Sequence, residues 1–377
     1  NYNVTVGDEA GTAITTGDNN TALGYSSLAA NTTGTRNTAV GTSAGTAITT
    51  GGNNTVMGYN ALATNTVGDR NVAIGEGALQ THNPSSNADT YNVAVGYDAG
   101  NAVTTATHNT LIGALAGDSL TTGASNVAVG YGALTTDDVG QHNVAIGRDA
   151  LSAQNIASAA NTYNTAVGSS AGAAVTTGTS NTLIGGLAGN ANTTGGNNTF
   201  VGKSAGVANT TASSNTFVGE RAGTANTTGD ESVAVGQFAY SANTTGVDNV
   251  AIGRSALAAN TTAHNNVAIG RSALLSNTTG TRNASVGSVS LDANTTGDDN
   301  VALGYNSLSA NTTADKNTAV GSAAMELNST GAENTAIGYS ALYANTTASN
   351  NTAVGRSALA ANTTGANNTA VGASALY

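Results

Sequence analysis

Residues that could perform acid–base or metal chemistry are few and widely spaced in this sequence. The four histidines, His82, His108, His142 and His264, never form a close pair, and no Ser-His-Asp or paired-carboxylate arrangement stands out. Aspartates gather in polar segments, as at Asp298, but the glycine-rich calcium-binding nonapeptide is absent. We therefore interpret the histidines as turn residues, and we predict no catalytic residue, no metal site, no cofactor and no enzyme activity.

Asn-Thr-Thr triplets such as Asn31-Thr32-Thr33 match the acceptor sequence for N-glycosylation. The triplet recurs in almost every coil from Asn192 to Asn362, as expected of residues that satisfy hydrogen bonds in a repeated turn. We favour that structural role and keep glycosylation as an open alternative.

Composition excludes several classes of partner. Charged residues make up 8% of the chain, the formal net charge is −11, and there is no cysteine. Ten scattered Lys and Arg residues cannot follow a phosphate backbone, so we predict no nucleic-acid partner. No apolar run is long enough to cross a bilayer, so we expect no membrane insertion by this segment and place any secretion signal or anchor outside it.

A short motif, Asn-Thr/Val-Ala-Val/Ile-Gly, divides the chain into 22 repeats, the first at Asn3 and the last at Asn368. Nineteen of the 21 intervals are 17 residues long, and the two others carry four-residue insertions, in coils 71–91 and 143–163. The repeat covers the whole chain, so we predict a single continuous repeat domain over 1–377.

The repeat unit predicts a parallel β-solenoid. With the motif asparagine as position 1, the consensus is N-T/V-A-V/I-G-x-S-A-L-x-A-N-T-T-G-x-x. Seventeen residues are too few for two helices, whereas short β-branched runs bounded by Gly, Asn and Thr are typical of strands and turns. Position 5 is always glycine, which indicates a positive φ or a close approach by a neighbouring chain segment. The fold class is therefore all-β, with 22 coils of 17-residue period.

Three positions exchange volume from coil to coil. Where position 9 shrinks from Leu to Gly, either position 3 grows, as in Phe200 with Gly206, or position 12 becomes apolar, as in Ile48 with Gly45. Close-packed interiors impose such compensation. We infer that positions 3, 9 and 12 face one shared lumen, and that the asparagines at position 12 from Asn192 to Asn362 form a stacked amide ladder.

Position 4 is Val, Ile, Leu or Met in every coil, although strand alternation places it opposite position 3. A long apolar stripe must be buried against another molecule, most simply another copy of the chain. If position 3 faced outward instead, its Leu and Phe residues would make the same demand, so either orientation of the strand implies homo-oligomers. The predicted oligomer interface comprises Val6, Val40, Ile74, Val129, Ile184, Val218, Ile252, Ile269, Val320, Ile337 and Val354.

Copies such as Asn71-Val72-Ala73-Ile74-Gly75 resemble the N-S-V-A-I-G motif of the YadA-like head repeat of trimeric autotransporter adhesins. The longer unit, as in 334–342, also resembles repeats of bacterial surface proteins and phage tail fibres. The resemblance covers all 22 coils, but the usual head repeat is nearer 14 residues. It implies a left-handed β-roll, a trimer of chains side by side, and a role in adhesion.

Position 6 varies freely and often carries Tyr or Arg, residue types that suit binding surfaces. Solubilising decoration is the alternative role of these side chains. The predicted binding surface comprises Tyr25, Tyr59, Tyr97, Tyr131, Arg148, Arg254, Arg271, Tyr305, Tyr339 and Arg356.

These observations favour a structural extracellular fibre or stalk with an adhesive role, at a cell surface or on a virion. Its partners would be further copies of itself, as a trimer stacked end to end, and an unknown host-surface or matrix ligand. A phage tail fibre for host recognition is the main alternative, and an ice-binding solenoid that uses the Thr rows at positions 13 and 14 is a weaker one.

Overall fold

A computed structural model describes residues 2–376, which are all-β and contain no helix. No helix in these residues is long and apolar enough to cross a membrane. The chain divides into two compact units, residues 1–194 and residues 195–377. Each unit is a run of coils, so the predicted parallel β-solenoid of 22 coils with a 17-residue period is confirmed. The single continuous domain, the left-handed path and the trimer stay predictions.

Each coil contributes one three-residue strand, formed by positions 2 to 4, and the rest of the coil is turns and bends. Strands of successive coils pair in parallel with each residue opposite the same position of the next coil, as Ala251 is opposite Ala268. β-Branched residues at positions 2 and 4 favour this extended segment, and the invariant glycine that follows ends it.

The first unit contains thirteen strands. They are β1 (Val4–Val6), β2 (Thr21–Leu23), β3 (Thr38–Val40), β4 (Thr55–Met57), β5 (Val72–Ile74), β6 (Val93–Val95), β7 (Thr110–Ile112), β8 (Val127–Val129), β9 (Gly140–Gln141), β10 (Val144–Ile146), β11 (Ala160–Asn161), β12 (Thr165–Val167) and β13 (Thr182–Ile184). Of these, β9 and β11 pair only with each other and form a separate small sheet.

The second unit contains eleven strands, all formed by positions 2 to 4. They are β14 (Thr199–Val201), β15 (Thr216–Val218), β16 (Val233–Val235), β17 (Val250–Ile252), β18 (Val267–Ile269), β19 (Ala284–Val286), β20 (Val301–Leu303), β21 (Thr318–Val320), β22 (Thr335–Ile337), β23 (Thr352–Val354) and β24 (Thr369–Val371).

The two insertions lie in the first unit and leave the register of the main strands intact. In coil 71–91, residues 85–87 are exposed and Asp89 forms an isolated parallel bridge with Asp69. In coil 143–163, residues 157–161 are exposed and include β11. The extra residues therefore protrude as loops, while Val72 still aligns with Val93 and Val144 with Thr165.

The interior of each coil is the lumen predicted from the volume exchange. In the coils between residues 20 and 350, positions 3, 9 and 12 are buried, as in Ala22, Leu28 and Asn31. Position 8, which the sequence did not assign to the lumen, is buried as well, as in Ser27. The core is therefore a column of Ala, Leu and Asn side chains.

Contacts in the lumen explain the exchange of volume. A β-carbon placed on Gly206 would lie 2.6 Å from the ring of Phe200 in the same coil. One placed on Gly100 would lie 2.6 Å from Leu111 of the following coil. Compensation therefore acts between neighbouring coils as well as within one, which the comparison of single coils did not predict.

Candidate interaction surfaces

The outer face of the solenoid sheet, formed by positions 2 and 4, is a candidate interaction surface in each unit. Position 3 points into the lumen, so position 4 points outward, as Ala251 is fully buried whereas Ile252 is 38% exposed. All eleven predicted interface residues lie on this face and none is buried. The structure thus settles the orientation of the strand, and the oligomer itself stays a prediction.

The position 6 row lies directly after the glycine that ends each strand. All ten predicted binding residues in this row are exposed. In the first unit the tyrosines Tyr25, Tyr59, Tyr97 and Tyr131 occupy every second coil and are 50–55% exposed. The row is therefore accessible to a partner, and its role in binding stays a prediction.

A shallow surface groove runs beside the position 6 row in two parts of the second unit. One part is lined by residues that include Ser204, Arg221 and Phe238. The other part is lined by residues that include Tyr339 and Tyr343. Positions 7 and 10 line both parts, so the two parts lie at the same place in their coils. Sequence analysis assigned no role to position 10.

Two asparagine ladders hold successive coils together. At position 12, Asn226 Nδ2 donates to Asn209 Oδ1 at 3.0 Å and Asn243 Nδ2 donates to Asn226 Oδ1 at 2.7 Å, and the pattern continues to Asn362. This confirms the predicted amide ladder in the second unit. The acceptor asparagines of the Asn-Thr-Thr triplets lie at position 12, and those such as Asn31 and Asn243 are fully buried, so these side chains are inaccessible in the folded coil.

The second ladder, at position 1, was missed by the sequence analysis. The backbone N–H of Asn266 donates to Asn249 Oδ1 at 3.0 Å, while Asn266 Nδ2 donates to the carbonyl of Gly280 at 2.9 Å. The near-invariance of position 1 could have revealed this role. The motif asparagine is therefore a structural residue.

Position 12 carries an ionisable side chain in two coils of the first unit, at His82 and at Asp137. Asp137 is buried and accepts hydrogen bonds from Gly140 N at 3.0 Å and Gln154 Nε2 at 2.7 Å. Burial raises the pKa of Asp137, against the lowering effect of these hydrogen bonds. The prediction that His82 is a turn residue was wrong, because His82 occupies position 12 and is fully buried.

His82 is an unusual lumen residue because neither ring nitrogen has a hydrogen-bond partner. Burial lowers the pKa of His82 to about 4, and the nearby Thr104 backbone, which favours the charged form, offsets this only in part. The imidazole is therefore neutral at pH 7. Within residues 2–376, no group of three or more His, Cys, Asp or Glu side chains could hold a metal ion.

A buried tyrosine and two phenylalanines form an aromatic column in the lumen of the second unit. Phe200 and Phe217 stack with centroids 5.0 Å apart, and Phe217 lies 6.3 Å from Tyr240. The Tyr240 hydroxyl donates to the Gly246 carbonyl at 2.9 Å and accepts from Asn249 Nδ2 at 2.7 Å. Tyr240 is fully buried and its hydroxyl is satisfied, so we assign it a structural role in the lumen.

Charged residues in the turns pair across neighbouring coils. Arg282 forms a two-pronged salt bridge with Asp299, at 2.7 and 2.9 Å. The guanidinium hydrogen bonds lower the pKa of the Asp299 carboxyl. Asp298 Oδ1 accepts from the Thr281 backbone N–H at 2.6 Å. These exposed or half-exposed carboxylates tie turns together.

No protein-family model matches this sequence, and a search of curated proteins finds no match. The case for a function therefore rests on the surfaces described above.

Proposed function

We propose that this chain is the repeat segment of a structural, adhesive extracellular fibre that associates with further copies of itself through the outer face. The observation that carries the proposal is the apolar row at position 4, which runs through every coil and points out of the lumen.

The exposed apolar area of this face favours its burial against another chain. Ile184, Ile252 and Ile337 expose 38%, 38% and 42% of their surface in a single chain. Monomeric proteins rarely leave a contiguous apolar patch of several hundred square ångströms in water. Two such faces can pair with each other, because every copy of the chain presents the same row of apolar side chains.

The adhesive and extracellular parts of the proposal rest on other features. Position 6 displays exposed Tyr and Arg side chains in many coils, which suits contacts with an external ligand. A chain with no cysteine and 8% charged residues depends on no redox environment. The resemblance to adhesin head repeats and to tail-fibre repeats supports the same role, and a phage tail fibre remains the main alternative.

The ice-binding alternative loses part of its support. At position 13 the Thr hydroxyls are used as donors to the next coil, as Thr244 Oγ1 donates to the Thr261 carbonyl at 3.0 Å. Only the position 14 hydroxyls remain exposed for water, as at Thr245. Absence of thermal hysteresis would eliminate this alternative.

Sedimentation equilibrium or mass photometry of the purified chain tests the proposal. We expect a defined homo-oligomer at micromolar concentration, because the outer face must be covered. A well-folded chain that stays monomeric at 100-fold higher concentration would contradict it.

A further inference from the structure

A part of the groove in coils 317–361 has the composition of a ligand site. It encloses about 480 Å³. Its lining residues include Tyr339, Tyr343, Ser340, Ser357 and Glu326. Tyr339 is 60% exposed, so its ring is available to a ligand.

The polar atoms of this groove are unused by the protein itself. In the described part of the chain, no hydrogen bond engages the hydroxyls of Tyr339, Tyr343, Ser340 or Ser357, or the carboxylate of Glu326. The groove therefore offers two ring faces, four hydroxyls and one carboxylate to a partner.

We propose that this groove binds an uncharged polysaccharide with an extended backbone, laid along the stacked coils. The proposal rests on the adhesive role above and names the ligand class. The electron-rich faces of Tyr339 and Tyr343 suit the weakly positive C–H faces of pyranose rings. The Ser hydroxyls can donate and accept, and the Glu326 carboxylate accepts hydrogen bonds from sugar hydroxyls.

Charge selects against acidic polymers. The chain has a formal net charge of −11, and Glu326 is the one acidic or basic residue that lines this part of the groove. An acidic glycan or a nucleic acid would place like charges beside that carboxylate. An uncharged glycan avoids this repulsion.

The hydrogen bonding along the groove disfavours peptide ligands. The backbone N–H groups along the groove are already paired, as Ser357 N donates to the Tyr339 carbonyl at 2.9 Å and Ser340 N to the Ser322 carbonyl at 3.1 Å. A peptide strand therefore has no free sheet edge here. A proline-rich peptide offers carbonyl acceptors, which cannot pair with the acceptor-only carboxylate of Glu326.

The chain supplies two matched controls. In the other part of the groove, the ring of Phe238 is covered by the Arg221 guanidinium, 5.7 Å from the ring centroid, so it is not free to stack on a sugar. Tyr305 is as exposed as Tyr339, at 58%, but position 10 of its coil is Ser309 rather than a second tyrosine. Neither ring should contribute to binding.

The test is isothermal titration calorimetry of the full chain with four probes. These are the β-1,4-linked hexamers of glucose and of N-acetylglucosamine, an oligogalacturonate of equal length, and a decaproline peptide. We expect at least one uncharged hexamer to bind at millimolar concentration or below. Tyr339→Ala and Tyr343→Ala should each weaken this binding at least about tenfold, the loss typical of an important contact residue. Phe238→Ala and Tyr305→Ala should leave it unchanged.

Other outcomes overturn the proposal. Failure of both uncharged hexamers to bind, tighter binding of the oligogalacturonate, or preference for decaproline would each do so, as would equal losses from the control variants. The oligomeric state, measured on the same samples, separates this failure from failure of the proposed fibre, because all four tyrosine and phenylalanine side chains lie off the outer face.

Discussion

The side chain at position 12 decides whether the interior of a coil is a polar ladder or an apolar plug. Asn243 donates to the preceding ladder residue, whereas Ile48 fills the space left by Gly45. His82 does neither, because it is fully buried without a partner for its ring nitrogens. A charged imidazolium at this place would lose its hydration without compensation.

His82 should therefore make coil 71–91 sensitive to acid. Its folded-state pKa of about 4 lies below the ordinary value of 6.5, so His82 adds stability above pH 6.5 that is lost as the pH falls toward 4. We expect a loss of about 2 to 3 kcal/mol at pH 4.5. The measurement is the hydrogen-exchange protection of the Leu79 amide, which donates to the Ala99 carbonyl at 3.0 Å, at pH 7 and at pH 4.5.

His82→Asn, which restores the consensus ladder residue, should remove most of this acid-dependent loss of protection. His264→Asn should not, because His264 is exposed. Equal protection of Leu79 at both pH values in the unaltered chain would contradict the prediction.

The glycine at position 5 illustrates a residue fixed by backbone geometry. Gly253 has a φ of +132°, and a β-carbon on it would lie 2.5 Å from the Gly270 carbonyl oxygen. Gly253→Ala should therefore lower the free energy of unfolding by about 2 to 5 kcal/mol. Gly186→Ala is the control and should change it by less than about 0.5 kcal/mol, since a β-carbon there meets nothing within 4 Å. Denaturant unfolding followed by circular dichroism measures both free energies of unfolding. Similar losses of stability in the two variants would refute the explanation.

At the scale of the coil, the lumen must stay filled but can be filled from several positions. Leu257 is buried with a φ of +51°. Leu257→Gly should cost about 2 to 4 kcal/mol, because the cavity outweighs the relief of left-handed backbone strain. Ala251→Phe should restore part of this loss, as Phe200 does beside Gly206. Ala268→Leu in the following coil should do the same, as Leu111 does beside Gly100.

Denaturation midpoints of the single and double variants measure this coupling. Ala251→Phe alone should destabilise the coil, because it overpacks a full lumen. Simple additivity of the single effects would show that these positions do not share one space.

Much of the coil follows from its sequence, for reasons that differ between positions. The lumen positions 3, 9 and 12 were predictable because volume is conserved among copies in one chain. Position 8 was not, since a residue that is almost always Ala or Ser shows no compensation. The left-handed backbone at Leu257 was also hidden, because leucine does not favour positive φ and only stacking on neighbouring coils imposes it.

The candidate site was predictable only in part. Sequence pattern placed Tyr339 on an exposed row, as the structure confirms. It could not place Tyr343 across a groove from Tyr339, because positions 6 and 10 are brought together by turns whose path depends on the left-handed positions. Periodicity reports which residues share a row, whereas the distance between two rows is a property of the folded turn.

At the scale of the whole molecule, the outer face decides whether the chain acts alone. Ile252 and Ile269 are neighbours on this face. The double variant Ile252→Lys with Ile269→Lys places two like charges at the centre of each self-complementary contact. Because such charges cannot be paired there, we expect the dissociation constant of the oligomer to rise roughly a hundredfold or more. Sedimentation velocity across a concentration series measures the change.

The matched control puts the same charges on another row of the same coils. Thr262 and Thr279 are exposed at position 14, away from the outer face. Thr262→Lys with Thr279→Lys should leave the oligomer intact, because these side chains stay in water in the assembly that we propose. If both double variants dissociate the oligomer equally, net charge rather than the outer face governs association. If neither double variant dissociates the oligomer, the contact between chains lies elsewhere on the coil, and another partner must bury the position 4 row.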